Sequence, residues 1–377
     1  MTIAPLITTI IPTYRRPLLL RRAILSALNQ TYPHVQVCVY DNASGDETEA
    51  VVQEIAQRDP RVKYHRHHQN IGSYNNFNYG IRNVDTPFFS LLSDDDILAP
   101  GFYEQAVPAF ERYPDAMFVC MPAIAIDTAL HVISGPIPVD SVRYYRQGEA
   151  VKGIMEGTIP GTWTGILFRR EVRDEIGLID TSVGPHADGG FVYHAAARYA
   201  GVAVPGVAAV LMAHEESVSG TSVPVSGEWV KWWDTMMRAI YEDDKVPYPV
   251  KKYIREFPSP DYLGIGVKQV GHALVKGNYG YAYRAALGVK ECGHPFASMI
   301  LGALIWCCEH LHADHLAKAV KTIRDLLLRR RRRVLHERYG HLVEFVRRYM
   351  RDGANPASPD GRVHAALREP NRRDAAE

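Results

Sequence analysis

Residues 86–100 read TPFFSLLSDDDILAP and place three consecutive aspartates, Asp94, Asp95 and Asp96, directly after an apolar run. The run, residues 86–92, has the length and composition of a buried strand. Carboxylates at the carboxyl end of such a strand lie where open α/β sheets bind their ligands. Three adjacent carboxylates repel one another, and a hard divalent cation such as Mg²⁺ or Mn²⁺ would relieve that repulsion. The alternative is a solvated acidic turn before a helix that starts near Pro100.

The first 125 residues alternate short apolar runs with segments of helical spacing, which predicts an α/β fold with a mostly parallel sheet covered on both faces. The predicted strands are Leu6–Ile11, Val35–Tyr40, Val62–His65, Phe88–Leu92 and Met117–Met121. The predicted helices are Leu18–Leu28, Thr48–Ala56, Tyr74–Val84 and Phe102–Phe110. Ligands of such a sheet gather on the loops that follow its strands.

After residue 125 the alternation of strand and helix signals becomes less regular. Residues 161–172 (GTWTGILFRREV) predict a strand entering a helix, residues 188–201 a helix, and residues 207–215 a last strand ending at His214. Beyond residue 225 strand signals disappear and five segments have helical patterns. These segments are Glu228–Tyr241, Pro260–Val275, Tyr279–Gly288, Pro295–His310 and Ala313–Arg351. From Gly353 onward the sequence lacks periodicity, which predicts a disordered tail.

Composition indicates a globular protein, with 46% apolar and 23% charged residues among 377. The five cysteines have no CxxC spacing, which favours a reducing compartment. There is no signal-peptide pattern, and the longest apolar run, Phe296–Cys308, is shorter than the roughly 18 residues that indicate a spanning helix. We therefore expect a cytoplasmic protein.

Charge is unevenly distributed despite a net charge of +1. Residues 321–350 carry ten Lys or Arg against three acidic residues, with a continuous run at Arg329–Arg333. This run is either a solvated basic face or a site of peripheral attachment to anionic lipid, here the inner face of the cell membrane. Nucleic-acid binding is not expected, because the region with catalytic features is not basic.

Polar residues follow the first predicted strands. Thr13 and Tyr14 in IPTYRRP could contact a base or ribose, and Arg15 and Arg16 could contact phosphate; a plain helix start at Pro17 is the alternative. Asp41 ends the second strand, where its carboxylate could accept a hydrogen bond from a pyrimidine base or serve in a turn. The segment NIGSYNNFNYG contains Asn70, Gly72 and Asn76. Their amides and the glycine could allow a nucleotide to approach closely; the alternative is a loop that only leads into a helix.

Two further residues are candidates for chemistry. Asp188 begins an apolar helix, where an aspartate is either an N-cap or a general base. His214 ends an apolar strand, where its imidazole is either a ligand for a cation such as Mn²⁺ or a structural group.

The order of these motifs resembles the inverting glycosyltransferases of family 2, which have the GT-A fold. The resemblance rests on seven segments in family order across residues 6–220: IIPTYRRP, SALNQTYPHVQVCVYDNASGDET, NIGSYNNFNYGI, LLSDDDILAPGF, GTWTGILFRREVRDEIGLID, HADGGFVYHAAARYAG and MAHEESVSG. It implies a GT-A domain over residues 1–224, with a donor half at 1–125 and an acceptor half at 126–224. The resemblance does not cover the C-terminal helices. From the sequence pattern, we expect an all-helical extension at residues 225–352 and a disordered tail at residues 353–377.

The resemblance also implies roles for residues. Asp96 would hold Mn²⁺ or Mg²⁺, with His214 completing the metal shell or contacting diphosphate. Asp188 would be the catalytic base, although Ala187 stands where the family often has glutamate. Trp163 and Tyr193 are weaker candidates for stacking on acceptor sugars. The donor nucleotide would contact Pro12, Thr13, Tyr14, Arg16, Asp41, Asn70, Gly72, Asn76, Asp94 and Asp95.

The implied activity is transfer of a sugar, with inversion, from a nucleoside-diphosphate donor to a hydroxyl of a glycan or lipid-linked acceptor. UDP or dTDP donors are favoured, and surface polysaccharide or lipopolysaccharide synthesis is the implied setting. Two alternatives are a sugar-phosphate nucleotidyltransferase, although IPTYRRP lacks the expected glycine-rich loop, and an inactive glycan-binding scaffold.

Overall fold

The computed structural model describes residues 6–213, 224–257, 260–310, 333–347 and 349. These ranges contain twelve strands, twelve α-helices with the bounds given below, and a further helical segment at residues 333–347. The strands are β1 Ile7–Thr13, β2 Val35–Asp41, β3 Val62–Arg66, β4 Phe88–Leu91, β5 Ile97–Leu98, β6 Ala116–Cys120, β7 Ala123–Asp127, β8 Val132–Ser134, β9 Arg143–Tyr145, β10 Ile166–Arg169, β11 Ala200–Ala203 and β12 Ala209–Ala213.

The helices alternate with strands in the first two thirds of the chain and follow one another in the last third. They are α1 Pro17–Leu28, α2 Thr48–Arg58, α3 Ser73–Arg82, α4 Phe102–Arg112, α5 Glu149–Met155, α6 Arg170–Ile176, α7 Ala187–Arg198, α8 Gly227–Glu242, α9 Tyr248–Glu256, α10 Tyr262–Val275, α11 Tyr279–Glu291 and α12 Pro295–His310. Short 3₁₀ helices occupy Trp163–Gly165 and Thr181–His186.

The central sheet has eight strands in the order β3-β2-β1-β4-β10-β6-β11-β9. Strands β3, β2, β1 and β4 run parallel to one another, as do β6 and β11. Strand β10 runs antiparallel to both β4 and β6, and β9 antiparallel to β11. The prediction of a mostly parallel α/β sheet is therefore confirmed. The parallel half brings the carboxyl ends of β1, β2 and β4 to one edge, where the polar loops begin.

Apolar side chains cover both faces of this sheet, as a parallel sheet requires. On one face Ile7, Ile11 and Val37 pack with Leu20 and Ile24 of α1. The opposite face packs against α3, α5, α7 and α8. Because both faces are buried, polar side chains are confined to the strand ends and loops.

A second sheet of four short strands, β5-β12-β7-β8, was not predicted. Residues 333–347 are helical and bury Leu342 and Val346 against Ile124 and Val210 of this sheet. This agrees with part of the predicted helix Ala313–Arg351, whose remainder lies outside the described residues. The tail prediction for residues 353–377 also falls outside them.

Helices α8, α10, α11 and α12 share an apolar core that includes Trp229, Val270 and Ile305. The predicted helical C-terminal region is confirmed, and α9 is an addition to it. In the described part of the chain, no helix combines the length and apolar character needed to cross a membrane.

Candidate active site

The three aspartates follow β4 at the carboxyl edge of the central sheet. The backbone N–H of Leu92 still donates to Ile10 O at 3.0 Å, and a turn closed by Asp96 N and Ser93 O at 3.1 Å begins there. Asp94 and Asp96 are only 6% and 8% exposed. The cluster is therefore buried at a strand end, and the alternative of a solvated acidic turn does not describe it.

Asp94 is tied to the loop after β1. Thr13 Oγ1 donates to Asp94 Oδ2 at 2.7 Å, and Arg16 Nη1 lies 3.2 Å from Asp94 Oδ1 and 3.1 Å from Asp95 Oδ2. Burial and the neighbouring Asp95 carboxylate nevertheless raise the pKa of Asp94 to about 6, from 3.8. Burial and Asp95 therefore disfavour the ionised form of Asp94 more than Thr13 and Arg16 favour it.

Asp96 has only neutral hydrogen-bond donors among the described residues. Met212 N donates to Asp96 Oδ1 at 3.1 Å, and Thr164 Oγ1 donates to Oδ2 at 3.2 Å. Burial first, and then the Asp95 carboxylate, raise the pKa of Asp96 well above its ordinary value. Met212 lies two residues before His214, which is itself outside the described residues.

This environment fits a divalent cation in part. Buried carboxylates with raised pKa values and a single nearby guanidinium are an oxygen donor set that a hard cation would stabilise. Within the described ranges, however, no group of three or more His, Cys, Asp or Glu side chains is arranged around a common point. Further ligands would have to come from a bound phosphate or from residues beyond those ranges.

Asp41 lies beside Thr13 in the register of β1 and β2 and is 1% exposed. Ser44 N donates to Asp41 Oδ1 at 2.9 Å, and Tyr64 Oη donates to Oδ2 at 2.7 Å. The carboxylate is therefore held in one orientation by the protein. Tyr14, on the same edge, leaves 38% of its surface exposed.

The loop before α3 is organised by amide hydrogen bonds. Asn42 Nδ2 donates to Asn70 Oδ1 at 2.9 Å, and Gly72 has φ 87°, which favours glycine at the start of α3. Asn76 is 1% exposed; its Nδ2 donates to Tyr40 O at 2.7 Å and its Oδ1 lies 2.9 Å from His67 Nε2. Asn76 thus supports the loop, which differs from the predicted direct contact with nucleotide.

Asp188 lies in the first turn of α7 and is half-buried. Gly189 N donates to Asp188 Oδ1 at 2.8 Å, and burial raises the pKa of Asp188. Tyr74 and Tyr193 are close enough that the Asp188 carboxylate, after burial, raises the pKa of both phenols. A carboxylate with a raised pKa in a partly open, aromatic setting is suited to proton transfer.

The segment entering α7 is fixed by Asn78 of α3. Asn78 Nδ2 donates to Ile179 O and Ile179 N donates to Asn78 Oδ1, both at 2.8 Å and both buried. Gly184 turns the chain with φ 57°, and a Cβ there would lie 2.7 Å from Trp232. The backbone that carries Asp188 is therefore set by contacts outside α7.

Trp163 has one neighbour that contacts Asp96 and another that lies beside Asp188. It adjoins Thr164, which donates to Asp96, and its ring lies 6.4 Å from that of Tyr74, beside Asp188. Trp163 is 8% exposed and packs on Phe77 at 4.3 Å between ring centroids. The side chain of Trp163 thus lies in the core, whereas Tyr193 is half-buried beside Asp188; stacking of either ring on an acceptor sugar stays a prediction.

Several supporting residues were not identified from the sequence. Thr164 lies inside the quoted motif GTWTGIL, so a hydroxyl next to Trp163 was an available signal. Ser44 lies three residues after Asp41, so its contact is local, whereas Tyr64 and Asn78 had no local signal, because their partners lie 23 and 101 residues away.

Part of this site lies in a region that is similar to a known family. Residues 8–177 match the family described as Glycosyl transferase family 2. The match covers 170 of the 377 residues, just under half of the chain, and shows the similarity of this part of the chain to the family. The matched range contains Asp41 and Asp94–Asp96 but ends before Asp188.

Relatives match over limited lengths. An uncharacterized glycosyltransferase of Rickettsia bellii is 38% identical over 108 residues, which are 28% of this chain and 15% of the relative. The GalNAc(5)-diNAcBac-PP-undecaprenol beta-1,3-glucosyltransferase of Campylobacter jejuni is 37% identical over 99 residues, 26% of this chain and 32% of the relative. The matches therefore span a third or less of these two relatives.

Solved structures extend the similarity of fold. S. aureus TarS residues 1–349 in complex with UDP superimposes with a TM-score of 0.56 at 12% identity, covering 82% of this chain and 92% of TarS. The same protein with UDP-GlcNAc gives a TM-score of 0.55, also at 12% identity, covering 78% and 90%. The chain has the GT-A fold, followed by its C-terminal helices.

Proposed function

We propose that this protein is a metal-dependent inverting glycosyltransferase that moves a sugar from a nucleoside-diphosphate donor to a hydroxyl of a glycan or glycolipid. The observation that carries the proposal is the pairing of two acidic centres of different character. Asp94 and Asp96 are buried at the strand edge, whereas Asp188 is half-buried, has a raised pKa and lies close to Tyr74, whose ring is 6.4 Å from that of Trp163. Donor and acceptor chemistry need two such centres.

The donor nucleotide would lie over the ends of β1, β2 and β4. Tyr14 offers an exposed ring, and the fixed Asp41 carboxylate retains lone pairs that can accept from a base N–H. A pyrimidine nucleotide, UDP or dTDP, has that N–H group. TarS, which shares the fold, has been crystallised with UDP and with UDP-GlcNAc, which is compatible with this choice.

Asp96 and His214 would hold Mn²⁺ or Mg²⁺ against the donor diphosphate. The buried carboxyl groups of Asp94 and Asp96, whose pKa values burial raises, and the position of Met212 two residues before His214 support this assignment. When bound, a divalent cation would stabilise the negative charge that develops on the leaving diphosphate. Arg16, which contacts Asp94 and Asp95, provides a second positive group at the same edge.

Asp188 would accept the proton of the acceptor hydroxyl as that oxygen attacks the anomeric carbon. The bond from the anomeric carbon to the diphosphate oxygen breaks as the new glycosidic bond forms on the opposite face, so configuration inverts. Gly189 N holds one carboxylate oxygen of Asp188 and leaves the other for the proton. Tyr193 would border the acceptor.

The acceptor and cellular setting follow from similarity alone. The C. jejuni relative is named for a polyprenyl-linked glycan acceptor, which favours a lipid-linked acceptor in surface glycan synthesis. We place the protein in the cytoplasm, peripherally attached to the inner face of the membrane. The Arg329–Arg333 run would contribute to attachment; of this run only Arg333 is within the described residues.

A panel of nucleotide sugars tests the proposal. With Mn²⁺, we expect one donor to raise the melting temperature and to release nucleoside diphosphate on turnover. Asp96→Ala should abolish turnover, whereas Asp244→Ala, at an exposed aspartate on the turn after α8, should not. Release of pyrophosphate would indicate a nucleotidyltransferase, and donor binding without turnover would indicate a scaffold.

A further inference from the structure

Helix α12 is apolar on two opposite faces. Leu301, Ile305 and Cys308 are buried in the core shared with α10 and α11. The opposite side, which we call the α12 apolar face, has large side chains with high exposed fractions: Phe296 75%, Met299 61%, Ile300 60%, Leu304 44% and Trp306 50%. A helix on the surface of a globular protein normally turns polar residues outward. A contiguous exposed apolar face of this kind marks an interaction site.

The apolar surface continues onto α11. Tyr283 and Leu287, one helical turn apart, are 37% and 53% exposed. The Tyr283 hydroxyl is hydrogen-bonded to Glu309 near the end of α12, so this pair lies beside the α12 apolar face. Tyr283 and Trp306 combine an apolar ring with a polar tip, which suits a boundary between lipid and water.

The sequence that follows α12 is strongly basic. Residues 311–333 hold eight Lys or Arg and two Asp. The helices α10 to α12 themselves are close to neutral, with Lys268, Lys276, Arg284 and Lys290, all exposed, against Asp261, Glu291 and Glu309. An apolar helix face followed in sequence by a basic segment complements an anionic lipid surface.

We propose that α12 lies in the interface of an anionic lipid bilayer, with the α12 apolar face at the boundary between headgroups and acyl chains. Its described part, Pro295–His310, has 16 residues and a length of about 24 Å along the bilayer surface. The inference rests on the membrane attachment in the proposed function and assigns that attachment a surface.

A second copy of the chain is the competing occupant. Pairing two α12 apolar faces would bring together two copies of the sequence that directly follows α12, each with eight Lys or Arg and two Asp in residues 311–333. Like charges across an interface oppose association. The charge pattern therefore favours lipid.

Vesicle flotation of the full chain tests the inference. Wild type should float with vesicles containing phosphatidylglycerol and much less with pure phosphatidylcholine. Phe296→Gln combined with Ile300→Gln should weaken binding at least about tenfold, because two large exposed side chains lose their apolar contact with lipid. Leu18→Gln, at a 71% exposed leucine on α1, is the matched control and should float like wild type.

Trp306 provides a second readout. Lipids brominated in their acyl chains should quench the fluorescence of wild type, and Trp306→Phe should remove a large part of that quenching. Nucleotide-sugar turnover with a soluble acceptor should survive in the double variant, which separates a failure of this inference from a failure of the proposed function.

Three outcomes overturn the inference. One is equal flotation of the double variant and wild type. Another is equal recovery of wild type with neutral and anionic vesicles. The third is no flotation together with a concentration-dependent dimer that the double variant abolishes, which would assign the face to a second copy.

Discussion

Replacing Asp94 with asparagine should stabilise the metal-free protein at neutral pH. Asparagine has the same shape, and its amide can accept from Arg16 and donate to the Thr13 hydroxyl, which replaces the two hydrogen bonds of Asp94. The substitution removes the negative charge of Asp94, which burial and the Asp95 carboxylate disfavour. The variant therefore isolates the free-energy cost of ionising Asp94 in the folded state.

The size of the effect follows from the pKa of Asp94. It is about 6 in the folded protein, against 3.8 ordinarily, and one pKa unit corresponds to about 1.4 kcal/mol. Ionising Asp94 in the folded protein thus costs up to about 3 kcal/mol. The pKa of Asp94 is higher in the folded protein than in the unfolded chain. The cost of ionisation is therefore absent below about pH 4, and the wild type loses stability as the pH rises from about 4 to about 6.

Urea denaturation with a chelator, followed at several pH values, measures the difference. The free energy of unfolding of Asp94→Asn minus that of wild type should be small near pH 4, rise through pH 5, and level off above pH 6 at up to about 3 kcal/mol. Asp244→Asn, at an exposed aspartate with no contact to the cluster, should show no such rise. A difference that is flat with pH, or an Asp94→Asn variant less stable than wild type at pH 7, would refute the reasoning.

Two further predictions concern Asp188 and its support. Because burial raises the pKa of Asp188, the acid limb of a kcat–pH profile should lie above the ordinary range of an aspartate, and a limb inside that range would contradict a base role. Asn78→Ala leaves the N–H and C=O of Ile179 buried without partners, so it should cost roughly 2–4 kcal/mol of stability and lower kcat more than donor affinity. Asn83→Ala, at an exposed position just after α3, is the control for urea denaturation. Equal losses of unfolding free energy in the two variants would contradict the role of Asn78 in holding the segment before α7.

The fold of the donor half could be predicted because its signals are local. Apolar runs such as Phe88–Leu92 and helical spacing such as Leu18–Leu28 differ from the observed β4 and α1 by one residue. In the small sheet, β12 lies within the strand predicted at residues 207–215, but β5 and β8 could not be predicted in this way, because they have two and three residues. Segments this short show no periodicity, and only pairing with distant strands defines them.

In the candidate site, too, only the features with a local sequence signal could be predicted. Asp94–Asp96, Asp41 and Asp188 were found because carboxylates at strand or helix ends are visible in sequence. Their surroundings depend on contacts across the fold: Thr164 reaches Asp96 over 68 residues and Met212 over 116. Burial of Trp163 and the engaged amide of Asn76 likewise depend on packing that no short motif encodes. His214 lies outside the described residues, so its role stays a prediction.

The most direct test of the central claim is the turnover of Asp188→Asn. If Asp188 is the base of a glycosyltransferase, the variant should bind the nucleotide-sugar donor with an affinity within about threefold of wild type. Its rate of sugar transfer should fall by about 10²–10⁴-fold, the range that a general base contributes. Transfer at a rate close to wild type would contradict the assignment of this site.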